Sequence, residues 1–251
     1  LVLLGHIAQR HPNYADLRAL AAGLAGVTGA TLGYLSEGAN AAGAALAGAT
    51  PHRGVGGKGV TRPGSDARAM IETPRNAYIL FGVEPSKDLA DGVTALANLR
   101  KAAVVAFSAY VSDDLLDVAD VLLPIGTFAE TAGTFVNAEG RWQSFDAAAD
   151  LVGEARAGWR VLRVLGNELE LPRCAYQTPS DIVEELEREL GALREIDPAD
   201  TVYKGSFAAN GRAAPVSSAG LDVPIYAIDP VVRRAEALQE TVLGRARQGP
   251  A

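Results

Sequence analysis

The chain has 251 residues, of which 48% are hydrophobic and 21% charged, as is typical of a soluble globular protein. Its formal net charge of -7 argues against nucleic acid or an anionic membrane surface as partner, because the densest basic cluster is only Arg233-Arg234. The single cysteine, Cys174, excludes an internal disulfide and a cysteine-ligated iron–sulfur cluster or zinc site built from this chain alone.

The first part of the chain alternates strand-like and helix-like patterns. Residues 1–4 predict a strand, and because the chain opens with leucine inside it, we expect this sequence to be part of a longer protein. Apolar residues at helical spacing follow in 17–24, and 31–35 favours a second strand. The Ala/Gly-rich residues 41–49 predict a short helix, whose small side chains allow close packing on a sheet.

The middle of the chain contains the clearest pattern. Buried strands are predicted at 77–82, 103–107 and 121–123, with a helix between each pair, the second capped by Ser112. Short apolar strands joined by crossover helices are typical of a parallel sheet covered on both faces. We therefore predict an α/β fold with a doubly wound parallel sheet, whose domain spans residues 1–125.

Three features invite a catalytic or ligand-binding interpretation that the residues do not favour. The loop Gly54–Gly59 lacks the spacing of a phosphate-binding P-loop, so a mobile surface loop is the simpler interpretation. Ser108 and Ser112 are outside a nucleophile elbow, and no histidine follows His52. Cys174 has no base nearby in sequence, which favours an inert thiol.

Residues 120–143 form the most unusual stretch, with polar residues packed between aromatic residues and glycines at 126, 133 and 140. These glycines predict a turn-rich ribbon of fixed shape. Arg141 could pair with Glu130 or Glu139, and we expect these side chains and Asn137 to make internal hydrogen bonds rather than to act in catalysis.

The remaining residues predict two further regions. Residues 126–196 are expected to pack on the sheet as the ribbon and two helices. The first helix is predicted over 153–165. The second is predicted over 182–190, with its start signal at Thr178. Residues 197–251 predict a loosely ordered C-terminal extension, because 197–220 show no periodicity. Within this extension, 223–241 favour a docked extended segment followed by a short helix.

Residues 119–143 closely resemble the A-D-V-V-L-P, then E, then G-T-F-x-N-x-E-G-R-x-Q signature of the molybdopterin oxidoreductase superfamily. Gly38-Ala39-Asn40 resembles a second motif of that superfamily, and 81–85 resembles its strand-end turn. The positions that the resemblance marks as a vestigial cofactor motif are Glu130, Thr131, Gly133, Thr134, Asn137, Glu139, Gly140 and Arg141.

Within the superfamily, residues 224–239 resemble the end of the large iron–sulfur subunit of bacterial NADH-quinone oxidoreductase, respiratory complex I. That resemblance implies a structural, non-catalytic C-terminal part that has lost the pterin cofactor. It also implies iron–sulfur clusters in a preceding part of the protein, which pass electrons from NADH toward quinone.

The same resemblance implies partners and a location. The expected partners are other subunits of the peripheral arm, at the cytoplasmic side of the bacterial inner membrane, without nucleic acid and without direct membrane insertion. Two alternatives remain open. One is the cofactor-binding middle of a molybdenum enzyme such as a formate dehydrogenase, and the other is a nucleotide-binding α/β module with a ligand at the carboxyl ends of the strands.

Overall fold

A computed structural model of the protein describes residues 1–9, 11, 13–191 and 226–245. The strands in these residues are β1 (Val2–Leu4), β2 (Leu32–Tyr34), β3 (Ala77–Phe81), β4 (Ala103–Ser108), β5 (Val121–Pro124), β6 (Gly133–Val136) and β7 (Trp142–Phe145). The helices are α1 (His6–Gln9), α2 (Tyr14–Thr28), α3 (Ala41–Leu46), α4 (Ala67–Glu72), α5 (Pro85–Asp88), α6 (Gly92–Leu99), α7 (Asp113–Val118), α8 (Gly158–Glu168), α9 (Pro179–Leu190), α10 (Glu236–Gln239) and α11 (Val242–Arg245). Single turns of 3-10 helix lie at Val55–Gly57, Phe128–Glu130 and Val232–Arg234.

The chain divides into two compact units, each built from separated stretches of sequence. The first unit comprises Leu1–Gly64, Ala132–Ala147 and Arg173–Leu221. The second unit comprises Ser65–Thr131, Ala148–Pro172 and Asp222–Ala251. Residues 120–143, which the sequence presents as one ribbon, are therefore divided between the two units at Thr131 and Ala132.

The described residues of the first unit contain one parallel and one antiparallel pair of strands. β1 pairs with β2 in parallel, with Leu3 opposite Gly33, and α2 connects the two strands. The buried residues of α2 are alanines 21, 22 and 25, which allow a close approach to this helix, and the helix ends at Gly29 in the left-handed conformation. β6 and β7 form an antiparallel hairpin in which Gly133 is opposite Phe145.

Helix α9 begins and ends with identifiable caps. Thr178 and Asp181 form a capping box, and Pro179 occupies the first turn, where a missing N–H costs no hydrogen bond. At the other end the Lys58 ammonium donates to the carbonyl of Glu189 at 3.3 Å, a favourable position for a cation. The glycine-rich loop predicted to lie on the surface is partly exposed and contacts this helix.

The second unit contains a three-stranded parallel sheet in the order β3-β4-β5. One face packs on α6 and α7, and its buried residues are Tyr78, Leu80, Leu99, Val104, Ala106, Leu115 and Val118. Alternation along β3 explains this core, because Tyr78 and Leu80 face it while Ile79 and Phe81 face the other way. Ser112 caps α7 through the Leu115 N–H, as predicted.

Within the described residues, the opposite face of this sheet is covered only near its carboxyl ends. Phe107 is buried there against Phe81, with ring centroids 5.7 Å apart. Gly158 lets α8 approach these rings, because a Cβ at that position would lie 2.7 Å from Phe81 Cζ. Toward the amino ends of the strands, Ile79 is 57% exposed and Val121 45% exposed.

The parallel strands joined by helices are confirmed. The described strands nevertheless form separate sheets, and consecutive strands are neighbours in the second unit, without the reversal of order that defines a doubly wound sheet. The predicted loose stretch 197–220 lies outside the described residues, as does the start of the predicted docked segment. The described residues 226–245 contain a 3-10 turn and two short helices.

Candidate functional site

The first two polar residues of the motif, Glu130 and Thr131, lie in the second unit. Glu130 bonds to nearby groups, whereas the buried Thr131 hydroxyl has no hydrogen-bond partner among the described residues. Glu130 Oε2 accepts hydrogen bonds from the Thr127 N–H at 2.7 Å and from the Thr127 hydroxyl at 2.8 Å. The Thr127 backbone bond, followed by the hydroxyl bond, lowers the pKa of the Glu130 carboxyl below its ordinary value. This carboxylate therefore acts as a local capping acceptor.

The next residues use their small size to build the hairpin of the first unit. A Cβ at Gly133 would lie 3.1 Å from Phe145 Cζ, so glycine makes room for that ring. Phe145 in turn packs edge-on against Phe135, with centroids 4.8 Å apart. The Thr134 and Ser144 hydroxyls lie 2.9 Å apart across the hairpin. These contacts are typical of cross-strand stabilisation.

Asn137 organises the hairpin turn. Its Oδ1 accepts from the backbone N–H groups of Glu139 at 3.0 Å and Arg141 at 2.9 Å. Gly140 follows with φ +79°, a conformation that favours glycine. The side chains of Glu139 and Arg141 are exposed, and the ion pairs found among the described residues do not include Arg141. The bonds that these two residues make to Asn137 come from their backbone N–H groups, and internal hydrogen bonds of their side chains stay a prediction.

Two motifs that are far apart in sequence meet in the first unit. Asn40 Oδ1 accepts from the Val136 N–H at 2.9 Å, which joins the Gly38-Ala39-Asn40 motif to strand β6. Gly43 makes this bond possible, because a Cβ at that position would collide with Asn40 Oδ1. The resemblance groups these motifs by sequence, and the structure brings them into contact.

A cavity of about 580 Å³ lies beside this contact in the first unit. Its polar lining includes Ser36, Asn137, Gln143 and Ser144, and Leu35 and Phe145 contribute apolar surface. Hydroxyls and amides can bind a small polar group, but the described lining contains no lysine or arginine. A pterin dinucleotide carries a diphosphate, which is usually neutralised by cations, so this donor set does not fit that cofactor by itself.

The carboxyl edge of the second unit's sheet holds a buried ion-pair cluster. Glu84, three residues beyond β3, is 5% exposed, and both of its carboxylate oxygens accept from the Arg234 guanidinium at 2.9 Å. This fork-to-fork geometry is the strongest form of an arginine–carboxylate pair. The hydrogen bonds to Glu84 raise the pKa of the Arg234 guanidinium, which keeps it charged.

A second arginine and an aromatic ring complete the cluster. Arg233 Nη2 donates to Asp88 Oδ1 at 2.5 Å and to the Ile228 carbonyl at 3.0 Å. The Arg234 guanidinium lies over the Tyr110 ring, 4.1 Å from its centroid, at cation–π distance. Glu84 and Tyr110 follow β3 and β4, so the segment 226–245 is anchored at the edge where open α/β sheets bind ligands.

This cluster is not predictable from the sequence patterns considered above. Arg233-Arg234 stands out there only as the densest basic pair, and Glu84 only as part of a turn. The available signal is an arginine pair preceded by Asp229 and Pro230, residues that favour a turn.

The other candidate centres do not form a metal or membrane site among the described residues. No group of three or more His, Cys, Asp or Glu there could hold a metal ion. An iron–sulfur cluster needs several cysteine thiolates, and the whole chain has one. No helix in the described ranges is long and apolar enough to cross a bilayer.

The sequence is similar to known proteins. A family model described as molybdopterin oxidoreductase matches residues 1–168. The chain is 35% identical over 107 residues to the mitochondrial NADH-ubiquinone oxidoreductase 78 kDa subunit of Neurospora crassa, covering 43% of this chain and 13% of that protein. It is 33% identical over 144 residues to the G subunit of the NADH-quinone oxidoreductase of Streptomyces coelicolor, covering 48% of this chain and 17% of that protein.

A further relative belongs to another branch. The chain is 44% identical over 52 residues to the F420-dependent formate dehydrogenase 1 subunit alpha of Methanococcus maripaludis, covering 21% of this chain and 8% of that protein. The chain thus spans less than a fifth of the length of these relatives. Because the family model covers residues 1–168 of 251, this chain belongs to the molybdopterin oxidoreductase family.

Proposed function

We propose that this chain is a structural, non-catalytic part of an NADH-quinone oxidoreductase subunit. In the complete subunit, iron–sulfur clusters outside this chain pass electrons from NADH toward quinone. The matches to the fungal 78 kDa subunit and to the bacterial G subunit support this assignment.

The observation that carries the proposal is the occupied carboxyl edge of the second unit. Ligands of open α/β sheets bind outside the carboxyl ends of the strands. In this chain Arg234 and Arg233 fill that position and pair with Glu84 and Asp88. Two carboxylates at this edge disfavour an anionic ligand such as a pterin dinucleotide, whereas a structural role needs only the intrachain contact.

The proposal assigns a role to the vestigial motif. Glu130 and Asn137 bond to nearby backbone groups, Gly133 and Gly140 shape the hairpin, and Thr134 bridges its strands. Thr131, Glu139 and Arg141 complete the set of matching positions. In this proposal the signature has been kept because it builds the hairpin, and it binds no cofactor.

The complete subunit would work within a membrane-associated assembly. The proposed partners are other subunits of the peripheral arm, at the cytoplasmic side of the bacterial inner membrane. The proposed fold of the complete domain is a doubly wound parallel sheet, to which the described sheets contribute.

The second candidate function is the cofactor-binding middle of a molybdopterin oxidoreductase such as a formate dehydrogenase. The match to the formate dehydrogenase alpha subunit favours it, as does the cavity of about 580 Å³ beside Asn137. In that case a further part of the protein would supply the cations that the cavity lining lacks.

One purification distinguishes the two functions. The protein would be isolated anaerobically from its source with everything that stays attached, and assayed for molybdenum, tungsten, oxidised-pterin fluorescence and dye reduction. We expect NADH-dependent dye reduction, with iron but without stoichiometric molybdenum, tungsten or pterin. Stoichiometric pterin together with formate-dependent dye reduction would overturn the structural role and establish the second function.

A further inference from the structure

The cluster at the carboxyl edge has the features of a receptor site for arginine side chains. With the arginines in place Glu84 is 5% exposed, and each of its carboxylate oxygens accepts a hydrogen bond from Arg234. The Asp88 side chain also accepts from the Glu84 N–H at 2.7 Å, which fixes its position next to the first carboxylate. Tyr110 supplies an aromatic face for a planar cation.

The occupying segment is folded by its own contacts. Asp229 Oδ1 accepts from the N–H groups of Val231 and Val232, and the Gln239 side chain donates to the carbonyls of Tyr226 and Val232. Helix α10 packs on α11 and on the turn Val232–Arg234. A segment that is shaped before binding loses less conformational entropy when it docks.

Two arginines connect this segment to the carboxylates at the sheet edge. Arg233 is 9% exposed along its side chain, yet its Nε has no hydrogen-bond partner among the described residues. Arg234 makes the two-pronged bond to Glu84. Arg234 should therefore contribute more to docking than Arg233, because an unpaired buried donor costs free energy.

We propose that Glu84, Asp88 and Tyr110 form a guanidinium-binding site whose resident ligand is the chain's own segment Tyr226–Arg245. The site recognises a paired arginine motif on a folded peptide. It can therefore be filled in trans by the same segment of a second copy when the intrachain arginines are absent. This inference rests on the contacts within the second unit and not on the proposed function.

The test uses the full chain carrying Arg233→Ala and Arg234→Ala, with a fluorescent synthetic peptide of residues 226–245 as the probe. This peptide has three arginines and three acidic residues, so its net charge is zero and the net charge of the chain alone should not attract it. Fluorescence anisotropy should show saturable binding to the doubly substituted chain. The unsubstituted chain should bind at least about tenfold more weakly, because its own segment occupies the site.

Matched peptides and chains separate guanidinium recognition from general attraction. A peptide with lysine at both arginine positions keeps the charge but loses the planar fork, and should bind at least about tenfold more weakly. Adding Glu84→Gln to the doubly substituted chain should weaken binding of the arginine peptide by a similar factor. Equal binding of the two peptides, or equal binding to chains with and without Glu84, would overturn the proposal.

A second measurement covers the case in which the doubly substituted chain does not fold, as judged by circular dichroism. Hydrogen–deuterium exchange of residues 226–245 would then be compared between the unsubstituted chain and Arg234→Lys. We expect exchange in this segment to become at least about tenfold faster, while β4 exchanges at an unchanged rate. An unchanged exchange rate in the segment would contradict the proposal that its docking depends on the guanidinium group.

Discussion

The hairpin of the first unit and the carboxyl edge of the second unit both concentrate polar side chains, but they use them differently. In the hairpin, Asn137 bonds to backbone groups within four residues, and Glu139 and Arg141 extend into solvent. At the sheet edge, Glu84 is buried and pairs with Arg234, which lies 150 residues away in sequence.

This difference separates residues that shape a backbone from residues that hold distant segments together. The polar-rich hairpin stands out in the sequence, yet its side chains mainly replace backbone hydrogen bonds that a turn leaves unmade. The sheet edge is inconspicuous in the sequence, yet it contains the charges that are removed from water. Burial and long-range pairing therefore distinguish the two regions better than composition does.

The largest expected effect is in the core that packs on one face of the second unit's sheet. Replacing Leu99, which is 0% exposed, with alanine should destabilise the second unit by about 2–5 kcal/mol, because it leaves a cavity in a packed cluster. The measurement is chemical denaturation followed by the fluorescence of Trp159, in a chain whose other tryptophan, Trp142, is replaced by phenylalanine.

The matched control for Leu99 lies on the same helix. Val93 of α6 is 82% exposed, so Val93→Ala should change stability by less than about 0.5 kcal/mol. Equal losses for the two substitutions would show that the core is not where the structure places it.

The second-largest loss of stability is expected when a buried ion pair is broken, and an exposed ion pair is the comparison. Arg234→Ala should destabilise the second unit by about 2–3 kcal/mol, because it leaves the buried Glu84 without its fork partner while Arg234 itself is 31% exposed. Arg100→Ala removes the exposed pair with Asp117 and should cost less than about 1 kcal/mol. The same Trp159 denaturation experiment measures both, and similar losses would remove the contrast between the two kinds of pair.

A smaller effect is expected where the two motifs meet in the first unit. Asn40→Ala removes the acceptor for the Val136 N–H and should cost about 1 kcal/mol. Asn40→Asp keeps an oxygen acceptor of the same size and should retain most of that stability. Denaturation followed by Trp142, in a chain with Trp159→Phe, tests this, and equal losses for both variants would exclude the hydrogen bond as the cause.

Local patterns in the sequence predicted the elements well. The strand at 77–81, the Ser112 cap and the Thr178 helix start are set by neighbouring residues, and the structure contains all three. The expected burial of this strand on both faces is wrong, because Ile79 is 57% exposed. The residues that fill the edge of the sheet were not predictable in this way. Glu84 and Arg234 become partners only when distant segments fold together, and neither residue carries a local signal of its partner.

The organisation of the chain was also beyond local patterns. The three-part division at residues 125 and 196 stays a prediction, whereas the compact units interleave separated segments. The cavity beside Asn137 lies next to the bond between Asn40 and strand β6, a contact between residues 96 positions apart. Similarity to a family grouped these motifs correctly, but only the fold gives their geometry.

The stability that the Glu130 carboxylate contributes to the second unit should depend on pH. The pKa of Glu130 is lowered by the Thr127 hydrogen bonds, so its stabilising effect is complete above the ordinary glutamate pKa of about 4.3. That effect is lost as the pH falls through the lowered pKa. The stability advantage of the unsubstituted chain over Glu130→Gln should therefore shrink as the pH falls from about 5 to about 3, as followed by Trp159. The control is Glu154→Gln, at an exposed position. If its stability difference shrinks in the same way, the change is a general effect of acid and not of the Glu130 hydrogen bonds.

The smallest expected effects belong to the exposed motif residues of the hairpin. Glu139→Ala and Arg141→Ala keep the backbone N–H groups that bond to Asn137, so each should change stability by less than about 0.5 kcal/mol. Asn137→Ala removes the acceptor itself and should cost about 1 kcal/mol in the same Trp142 denaturation experiment. If Glu139→Ala or Arg141→Ala instead cost as much as Asn137→Ala, these side chains would have a buried partner in solution. The hairpin would then resemble the sheet edge, and the proposal that its signature serves only to shape the backbone would fail.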